Sequence, residues 1–395
     1  MQIGVVGKPN CGKSTFFKAS TLMDVDIANY PFATIKPNHG VGFVRVDCVD
    51  KDFGTQCDPR EGFCAGHTRF VPIDLIDVAG LVPGACEGVG MGNQFLDDLR
   101  QANCLIHVID ASGGTNEKGE SCECGSYDPA KDIEFLEYEL DMWYLGIFRR
   151  VWDKFARTVR QEGSDAEKAI AKQFSGLGVT EDIVKDTLRK LSLEPKGIVS
   201  WSEEQLKDIV KEFRKQTKPM IIAANKVDTD AGKKNLERLK KEFPDHFIIG
   251  CSAESELALK EAAKHKLIDY IPGSSDFDVV GELTDAQKKA LDFIKDNVLA
   301  LGSTGVQDIM DAAVFRLLGY IAIFPGGVNK LEDQDGNVLP DCFLMPPETT
   351  ALDFAYRLHT DFGKNFIKAI DVKKKMPVAK DHKLEHRDVV EIMAR

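Results

Sequence analysis

The residues with the clearest chemical meaning form a glycine-containing loop close to the start of the chain. Residues 7–14 read Gly-Lys-Pro-Asn-Cys-Gly-Lys-Ser and directly follow the apolar run 3–6. Glycine lets backbone N–H groups curl around phosphates, while Lys13 reaches the β- and γ-phosphates and Ser14 offers a hydroxyl to Mg²⁺. The pattern predicts a phosphate-binding loop, followed by a helix over residues 14–22 whose N-terminus faces the anion. We expect the nucleotide to be contacted by Lys8, Pro9, Asn10, Cys11, Gly12, Lys13, Ser14 and Thr15.

A second motif, Asp-x-x-Gly, follows a β-rich run and ends at Gly80. In this pattern the Asp77 carboxylate holds Mg²⁺ through its water shell, and the Gly80 N–H meets the γ-phosphate. Thr34, in the loop 29–34 between the two motifs, is the candidate to close over Mg²⁺ and the γ-phosphate. The alternative is a plain surface threonine. The predicted Mg²⁺ site consists of Ser14, Thr34 and Asp77.

The base is predicted from the motif Asn-Lys-x-Asp at residues 225–228, which follows the apolar strand 220–224. The Asp228 carboxylate can accept two hydrogen bonds from guanine, one from N1–H and one from the 2-amino group. Adenine lacks that donor pair and would leave a buried acceptor unpaired, so the motif favours GTP over ATP. A Cys-Ser-Ala turn after the next apolar strand offers backbone N–H groups to guanine O6. The residues predicted to bind the base are Asn225, Lys226, Asp228, Ser252 and Ala253.

Together these motifs resemble those of the Obg-related P-loop GTPases, nearest to the YchF branch in its archaeal form. The resemblance rests on residues 7–14, 29–32, 77–85 and 88–96 and on the carboxyl-terminal segment, and it extends over close to the whole chain. It implies an α/β fold: a P-loop NTPase with a Ras-like G domain, a helical, coiled-coil-like insertion and a C-terminal β-grasp TGS domain. It also implies Mg²⁺ as the cofactor and GTP and GDP as ligands.

Three positions bear on how hydrolysis would proceed. YchF proteins often have a base motif that ends in Glu and prefer ATP, whereas this chain retains Asp228, so their ATPase activity is not transferred to it. Many also have a His after Gly-Ala in the loop that follows Asp-x-x-Gly, where this chain has Cys86. In Ras-like enzymes a Gln directly after that motif orients the attacking water, but the residue here is Leu81. We therefore expect slow intrinsic hydrolysis.

Hydrolysis would then depend on neutralising the charge that develops on the phosphates. In several branches of the resembled group K⁺ bridges the phosphates, held partly by the loop Asn, which is Asn10 here. A fixed cation at that place would stabilise the transition state. Asn10 could equally be a turn-former that hydrogen-bonds its own loop. The glycine-rich segment 84–92 is the expected moving part, unless it is a rigid turn. The residues expected to serve hydrolysis are Lys13, Thr34, Gly80 and Asn10.

Composition limits the class of protein. The chain has 395 residues, of which 43% are hydrophobic, and a formal net charge of −12. This length allows two to three domains, and the acidic balance argues against a protein that coats nucleic acid, so no DNA is expected. We expect a cytoplasmic protein without a membrane partner, because we find no run of about 18 apolar residues and the first residues enter a strand at once.

The ten cysteines show no disulfide-like spacing, and reduced thiols fit this pattern best. Cys57 and Cys64 near His67, and the pair Cys122 and Cys124, are candidate zinc ligands because thiolate and imidazole suit Zn²⁺. Neither group has a Cys-x₂-Cys pair. Solvent-exposed loop thiols are therefore the favoured interpretation.

An insertion of helical character separates the nucleotide motifs. Apolar residues recur at intervals of three or four between residues 136 and 159, and Ser202 begins a capping box. The aromatic residues of this stretch are expected to pack in a core rather than to form a partner surface. We predict a discontinuous G domain over 1–126 and 217–320 with a trailing helical stretch 274–320, a helical insertion over 127–216, and a TGS domain over 321–395.

Three functions remain open at this stage. The first is a slow GTPase whose nucleotide state acts on ribosomes or their assembly, the second a YchF-type ATPase, and the third a binding module in which the nucleotide is structural. Between Lys373 and Arg387, six basic residues stand against two acidic ones. Such a basic face suits a structured RNA, although a solvated loop is the alternative. We expect a ribosome or structured RNA to bind through the TGS domain and the helical insertion.

Overall fold

The computed structural model describes residues 1–21, 38–78 and 99–395. The chain divides into two compact units, residues 1–17 with 76–253 and residues 18–75 with 254–395. Several predicted residues lie outside the described ranges, namely Thr34, Gly80, Leu81, Cys86 and the segment 84–92.

In chain order the described strands are β1 (Gln2–Val6), β2 (His39–Asp47), β3 (Phe63–Ala65), β4 (Thr68–Asp77), β5 (Cys104–Asp110), β6 (Met220–Asn225), β7 (Phe247–Cys251), β8 (Ile268–Asp269), β9 (Asp278–Val279), β10 (Ile321–Pro325), β11 (Phe343–Met345), β12 (Phe366–Asp371), β13 (Met376–Val378) and β14 (Val389–Ala394). The described α-helices are α1 (Lys13–Thr21), α2 (Ala130–Glu162), α3 (Ala166–Gln173), α4 (Glu181–Lys190), α5 (Glu203–Thr217), α6 (Asp230–Glu242), α7 (Ala253–Lys264), α8 (Asp285–Asn297), α9 (Val306–Asp311), α10 (Ala351–Leu358) and α11 (Thr360–Lys364). Helix α9 continues as a π-helix over Ala312–Leu317.

The first unit is built on a parallel sheet in the order β1-β5-β6-β7. Every residue of β5 and β6 is buried, as expected for parallel strands that are covered on both faces. In such sheets ligands bind beyond the carboxyl ends of the strands. The phosphate loop follows β1 and the predicted base motifs follow β6 and β7, so the fold brings them to one edge. The predicted α/β fold is confirmed.

The helical character of the insertion is also confirmed. Helix α2 runs for 33 residues and α5 for 15, and α5 begins with the capping box of Ser202 and Gln205. The aromatic side chains of α2 that were expected to pack in a core are buried, namely Trp143, Tyr144, Phe148 and Trp152. Phe148 stacks on Phe174 with ring centroids 3.6 Å apart. Burial of this aromatic face holds the helices together, because aromatic side chains bury large apolar areas.

A buried polar cluster lies where β5 meets α2. Arg214 donates to Asp141 at 2.8 Å and to Glu137 at 3.1 Å, and His246 lies 3.3 Å from the same Glu137. Burial opposes ionisation of Glu137, but His246 and Arg214 lower its pKa to about 2. His107 is fully enclosed nearby, and its Nδ1 atom has no hydrogen-bond partner among the described residues. Burial lowers the pKa of His107 to about 3.

The His107 environment predicts an acid-sensitive fold. Because the folded-state pKa of about 3 lies below the ordinary histidine value of about 6.5, the unfolded chain takes up a proton first as the pH falls. Stability contributed by neutral His107 is therefore complete above about pH 6.5 and is lost toward pH 3. Between pH 6.5 and pH 5 this single residue should lower the free energy of unfolding by about 2 kcal/mol.

Urea unfolding at pH 7 and pH 5 measures this effect. The free energy of unfolding should differ between pH 7 and pH 5 by about 2 kcal/mol less in His107→Leu than in the unmodified protein. His265→Gln, at an exposed position, should leave the difference unchanged. An identical pH dependence in the unmodified protein and His107→Leu would mean that His107 is not held neutral.

In the second unit, β2 pairs with β4, and β3 pairs antiparallel with β4. A five-stranded sheet follows in the order β11-β10-β14-β12-β13, with β10 and β14 parallel. Helix α10 begins with the capping box of Thr350 and Asp353, and buries Ala351, Phe354 and Ala355. Parallel central strands with one packed helix correspond to the expected β-grasp TGS module.

One stretch of the described residues, Asp285–Leu317, is long and apolar enough to cross a membrane when only length and composition are considered. Most of its apolar window is buried within the protein. Burial of that kind is typical of a core helix, and the buried side chains of α8 include Leu291 and Ile294.

Candidate functional site

The phosphate loop has backbone geometry that only small residues permit. Gly12 has a φ of +96°, and a Cβ atom there would lie 2.1 Å from the side-chain nitrogen of Asn225. A Cβ atom on Gly7 would lie 2.5 Å from the carbonyl oxygen of Val108. Asn10 adopts a left-handed conformation with a φ of 59°. A larger residue at Gly7 or Gly12 would therefore displace the neighbouring Val108 backbone or the Asn225 side chain.

Lys13 lies at the mouth of this loop, at the first turn of α1. Its ammonium forms an ion pair with the Asp77 carboxylate, and the Lys13 side chain is 12% exposed. Ser14, the next residue, is exposed. The hydroxyl and the carboxylate are hard oxygen ligands of the kind that Mg²⁺ takes together with phosphates. The residues fit Mg²⁺, since Lys13 can transfer to the phosphates and leave Asp77 for the metal's water shell.

Asn225 joins the base motif to the phosphate loop. Its side-chain nitrogen donates to the Cys11 carbonyl at 3.1 Å, and its side-chain oxygen accepts from the Ala253 N–H at 3.0 Å. The side chain is buried, with 4% of the residue exposed. Asn225 was predicted to bind the base, which stays a prediction, and the described hydrogen bonds give its side chain a positioning role as well. It fixes the distance between the phosphate loop and the Cys-Ser-Ala turn, in which Ser252 is also buried.

Lys226 makes a second link between the motifs. Its ammonium lies 2.7 Å from the buried carboxylate of Asp110, the last residue of β5, and 3.5 Å from the carbonyl oxygen of Asn10. Lys226 has a φ of 67°, so the chain turns sharply after Asn225. This turn carries the chain toward Asp228. Asp110 was not predicted, although an Asp that ends a buried strand at the binding edge was a signal that could have found it.

Asp228 is half-buried, and none of the described residues donates a hydrogen bond to its carboxylate. It lies close enough to Cys251 to add to the effect of burial, which raises the pKa of that thiol. Burial also raises the pKa of Cys11 to about 11. Both thiols are therefore protonated and unreactive at neutral pH. The carboxylate of Asp228 keeps its acceptor capacity for a base.

The side chain of Lys8 does not face the nucleotide edge. Its ammonium donates to the Thr115 carbonyl at 2.9 Å, lies 2.8 Å from Asp132 and sits 3.9 Å from the centre of the Tyr127 ring. Lys8 is 6% exposed. Burial raises the pKa of Asp132, and Lys8 opposes that shift. Lys8 therefore ties the loop to the first turn of α2, which leaves its backbone for phosphate contacts.

Asn10 makes a similar contact on the other side of the loop. Its side-chain nitrogen donates to the Gly119 carbonyl at 2.9 Å, so it does not cap its own loop. A Cβ atom on Gly119 would lie 2.6 Å from the Pro9 carbonyl. The segment around residue 119 therefore contacts Pro9 and Asn10, both of which remain exposed. Thr15, the remaining predicted loop residue, lies on α1 and is half-buried.

The basic residues of the carboxyl-terminal segment are mostly paired within their unit. Lys373 and Arg387 lie 2.7 and 3.2 Å from the carboxylate of Asp52, and Lys373 lowers the pKa of that carboxyl. Lys374 pairs with Asp371 at 3.0 Å, and Lys383 pairs with Glu348. These pairs reduce the positive charge that the segment can present to RNA phosphates.

Three family models match successive parts of the chain. The model described as a 50S ribosome-binding GTPase matches residues 2–135. The model described as the G4 motif-containing domain of the Obg-like GTPase YGR210-like group matches residues 223–327, and the TGS domain model matches residues 334–394. The matched ranges contain the phosphate loop, the base motif and the second unit's five-stranded sheet.

Similar proteins extend over the full length of the chain. An uncharacterised GTP-binding protein of Methanocaldococcus jannaschii is 47% identical over 99% of this chain and 98% of its own. The ribosome-binding ATPase YchF of Bacillus subtilis is 27% identical over 93% of this chain and 87% of its own. The crystal structure of a GTP-binding protein from Pyrococcus horikoshii OT3 matches with a TM-score of 0.79 and 38% identity, covering 100% of both chains.

Proposed function

This chain belongs to the family of Obg-like, YchF-related GTP-binding proteins, and from that premise we propose that it is a slow, Mg²⁺-dependent GTPase. The alternation between GTP and GDP would serve as a switch that acts on ribosomes or on their assembly. The observation that carries the base assignment is the half-buried Asp228 carboxylate, to which no described residue donates. Asn225 holds the adjoining backbone against the phosphate loop, so a nucleotide bound there brings its base toward this acceptor.

The competing proposal is ATP hydrolysis, which is favoured by the name of the Bacillus subtilis relative. At the edge where guanine offers N1–H and the 2-amino group, adenine has an unprotonated N1 and a C2–H, so it offers no hydrogen-bond donor. A carboxylate with two acceptor oxygens is therefore better satisfied by guanine. Competition of unlabelled GTP and ATP for a fluorescent GTP analogue on the purified chain separates the two. Equal competition by ATP would contradict the GTPase proposal.

The proposed ribosome partner is supported by the names of related proteins and by the matched model described as a 50S ribosome-binding GTPase. Because four basic residues of the carboxyl-terminal segment are paired internally, we do not place the whole contact on that segment. The exposed side of α2 carries Arg150 in addition, whereas Arg149 beside it pairs with Glu203. Co-sedimentation with ribosomes in the presence of a non-hydrolysable GTP analogue or GDP tests the partner and its dependence on the nucleotide.

Potassium ions should accelerate hydrolysis. The Asn10 nitrogen is anchored on Gly119, which orients the amide so that its oxygen is the atom offered to a monovalent cation. A cation fixed between the phosphates stabilises the charge of the transition state, and we expect kcat to be at least about tenfold higher in KCl than in NaCl at equal ionic strength. In Asn10→Ala the ratio should fall toward one. An unchanged kcat in the two salts for the unmodified protein would remove K⁺ from the proposal.

A further inference from the structure

Three thiols and a carboxylate converge in the second unit, on the connections between β2, β3 and β4. Cys48 directly follows β2, Asp50 and Cys57 follow it in the connection, and Cys64 lies in β3. One ligand atom of each residue lies within 4.8 Å of the others. The Sγ atoms of Cys48 and Cys57 are 3.4 Å apart, and neither forms a disulfide. The expectation of a solvent-exposed thiol is wrong for Cys57, which is 5% exposed.

The tight hairpin between β3 and β4 creates this arrangement. Gly66 and His67 both have positive φ values, 55° and 61°, as a two-residue turn of type I′ requires. The carbonyl oxygen of His67 accepts the N–H of Cys48 at 2.8 Å. The hairpin pairs Cys64 with Arg69. Cys48 is therefore held against the turn, close to the thiol of Cys64, which lies sixteen positions further along the chain.

The cluster places negative charge in a buried environment. The Asp50 side chain is 0% exposed, and its carboxylate accepts the Cys57 N–H at 3.0 Å and lies 3.0 Å from His67 Nδ1. A buried carboxylate is costly unless a cation compensates it, and the three thiols beside it are the soft ligands that such a cation would take.

We propose that Cys48, Cys57, Cys64 and Asp50 bind a structural Zn²⁺ ion. Structural zinc takes four ligands in a tetrahedron, at about 2.3 Å for sulfur and about 2.0–2.2 Å for carboxylate oxygen. Ligand atoms in such a tetrahedron are about 3.4–3.8 Å apart, so the observed spacing requires only small side-chain movements. Three thiolates select zinc over Mg²⁺ and Ca²⁺, which prefer oxygen. His67 orients the Asp50 carboxylate, in the manner of the outer partners of metal ligands.

The ion would stabilise the surface on which the carboxyl-terminal module begins. Residues between Cys57 and Cys64 form backbone hydrogen bonds to that module: Asp58 donates to the Val338 carbonyl at 2.8 Å, and Arg60 to the Pro340 carbonyl at 2.9 Å. The guanidinium of Arg69 donates to the Pro340 carbonyl at 2.6 Å. The TGS match starts at residue 334. A metal that fixes the connection 48–64 therefore also fixes the first residues of this module.

Metal analysis of the full chain, purified under reducing conditions without chelator, tests the proposal. We expect about one Zn²⁺ per chain by inductively coupled plasma mass spectrometry. Occupancy should fall at least about tenfold in Cys57→Ser. Cys124→Ser removes a thiol at an exposed position and should leave the zinc content unchanged. The nucleotide site is not involved, so zinc content can be read whether or not the chain hydrolyses GTP.

Cobalt supplies a readout on the unmodified chain, which does not depend on how the variants fold. After removal of zinc, Co²⁺ should produce a thiolate-to-metal charge-transfer band and the strong d–d absorption of a tetrahedral site. Asp50→Asn should keep the charge-transfer band but bind Co²⁺ at least about tenfold more weakly. The proposal is overturned if the reduced, unmodified chain neither carries Zn²⁺ nor takes up Co²⁺. Loss of the charge-transfer band in Cys124→Ser but not in Cys57→Ser would overturn it as well.

Discussion

Lys13→Ala is expected to lower the rate of GTP hydrolysis by about 10³-fold and to weaken GTP binding by about 10²-fold. The Lys13 ammonium is mostly buried at the mouth of the phosphate loop, where its partner is the Asp77 carboxylate. With a triphosphate bound, the same ammonium neutralises charge on the β- and γ-phosphates, and more so as the transition state forms. Without this ammonium, the negative charge of the phosphates faces the Asp77 carboxylate, which repels it.

Single-turnover hydrolysis with Mg²⁺ and equilibrium binding of a fluorescent GTP analogue measure the two effects. Lys18→Ala is the matched control, because Lys18 lies on the same helix and is exposed. It should behave as the unmodified chain in both measurements. Circular dichroism establishes that Lys13→Ala keeps its helices. Hydrolysis that persists in folded Lys13→Ala at the rate of the unmodified chain would mean that the phosphate loop does not carry the reaction, and would favour a structural role for the nucleotide.

The phosphate loop could be predicted from the sequence because its geometry is local. Eight consecutive residues determine its shape, and the two glycines are needed for reasons that act within the loop and its immediate neighbours. The same holds for the capping box of α5, in which the interacting residues Ser202 and Gln205 are three positions apart. Such predictions succeed because residues only a few positions apart in the chain are also close together in space.

Contacts between residues far apart in the chain were not predictable in this way. Lys8 was assigned to the nucleotide, but its side chain pairs with Asp132, which lies 124 positions further along the chain. Asn225 was assigned to the base, and the sequence did not show that its side chain also joins the Cys11 and Ala253 backbones. In both cases the residue lies at the correct edge of the sheet. Its hydrogen-bond partner depends on which loops the fold brings over that edge.

The cysteine cluster shows the same limit. From the sequence, Cys57 and Cys64 near His67 were candidate zinc ligands. These residues lack the Cys-x₂-Cys pair that is typical of zinc sites. The missing member was Cys48, which the pairing of β2 and β4 and the turn at His67 bring beside Cys57. A zinc site assembled from a strand end and a hairpin has irregular spacing in the sequence. Only the register of the strands reveals it.

The hydrogen bonds around the phosphate loop also suggest how the nucleotide state is transmitted within the first unit. Lys8 connects the loop to Asp132 in the first turn of α2, and Asn225 and Lys226 connect it to the base motif. In the proposed switch, a change in the loop on loss of the γ-phosphate would therefore act on the start of a 33-residue helix. A ligand shifts such an equilibrium only as far as it binds the two states differently. Comparison of hydrogen exchange in α2 with GTP analogue and with GDP would measure that difference.

Asp228→Asn is expected to weaken GTP binding by about 10²-fold and to improve binding of xanthosine triphosphate by a similar factor. In the proposed complex the carboxylate of Asp228 would accept hydrogen bonds from guanine N1–H and the 2-amino group. An asparagine presents an N–H in place of one acceptor, which opposes the guanine 2-amino group but matches the carbonyl that xanthine has at that position. Gain of a second ligand cannot result from unfolding, so this variant distinguishes recognition of the base from loss of structure.

Asp230→Asn is the matched control, because Asp230 lies two positions further along the chain and is exposed. It should leave the affinities for GTP and xanthosine triphosphate unchanged. Asp228→Glu tests the geometry, since the carboxylate is retained but moves by one methylene; GTP affinity should fall, because both hydrogen bonds depend on the position of the two oxygens. If Asp228→Asn binds GTP as tightly as the unmodified chain, the base is read by other residues. GTP and ATP would then be discriminated by the backbone of the Cys-Ser-Ala turn, whose N–H groups favour the guanine O6 acceptor over the adenine amino group.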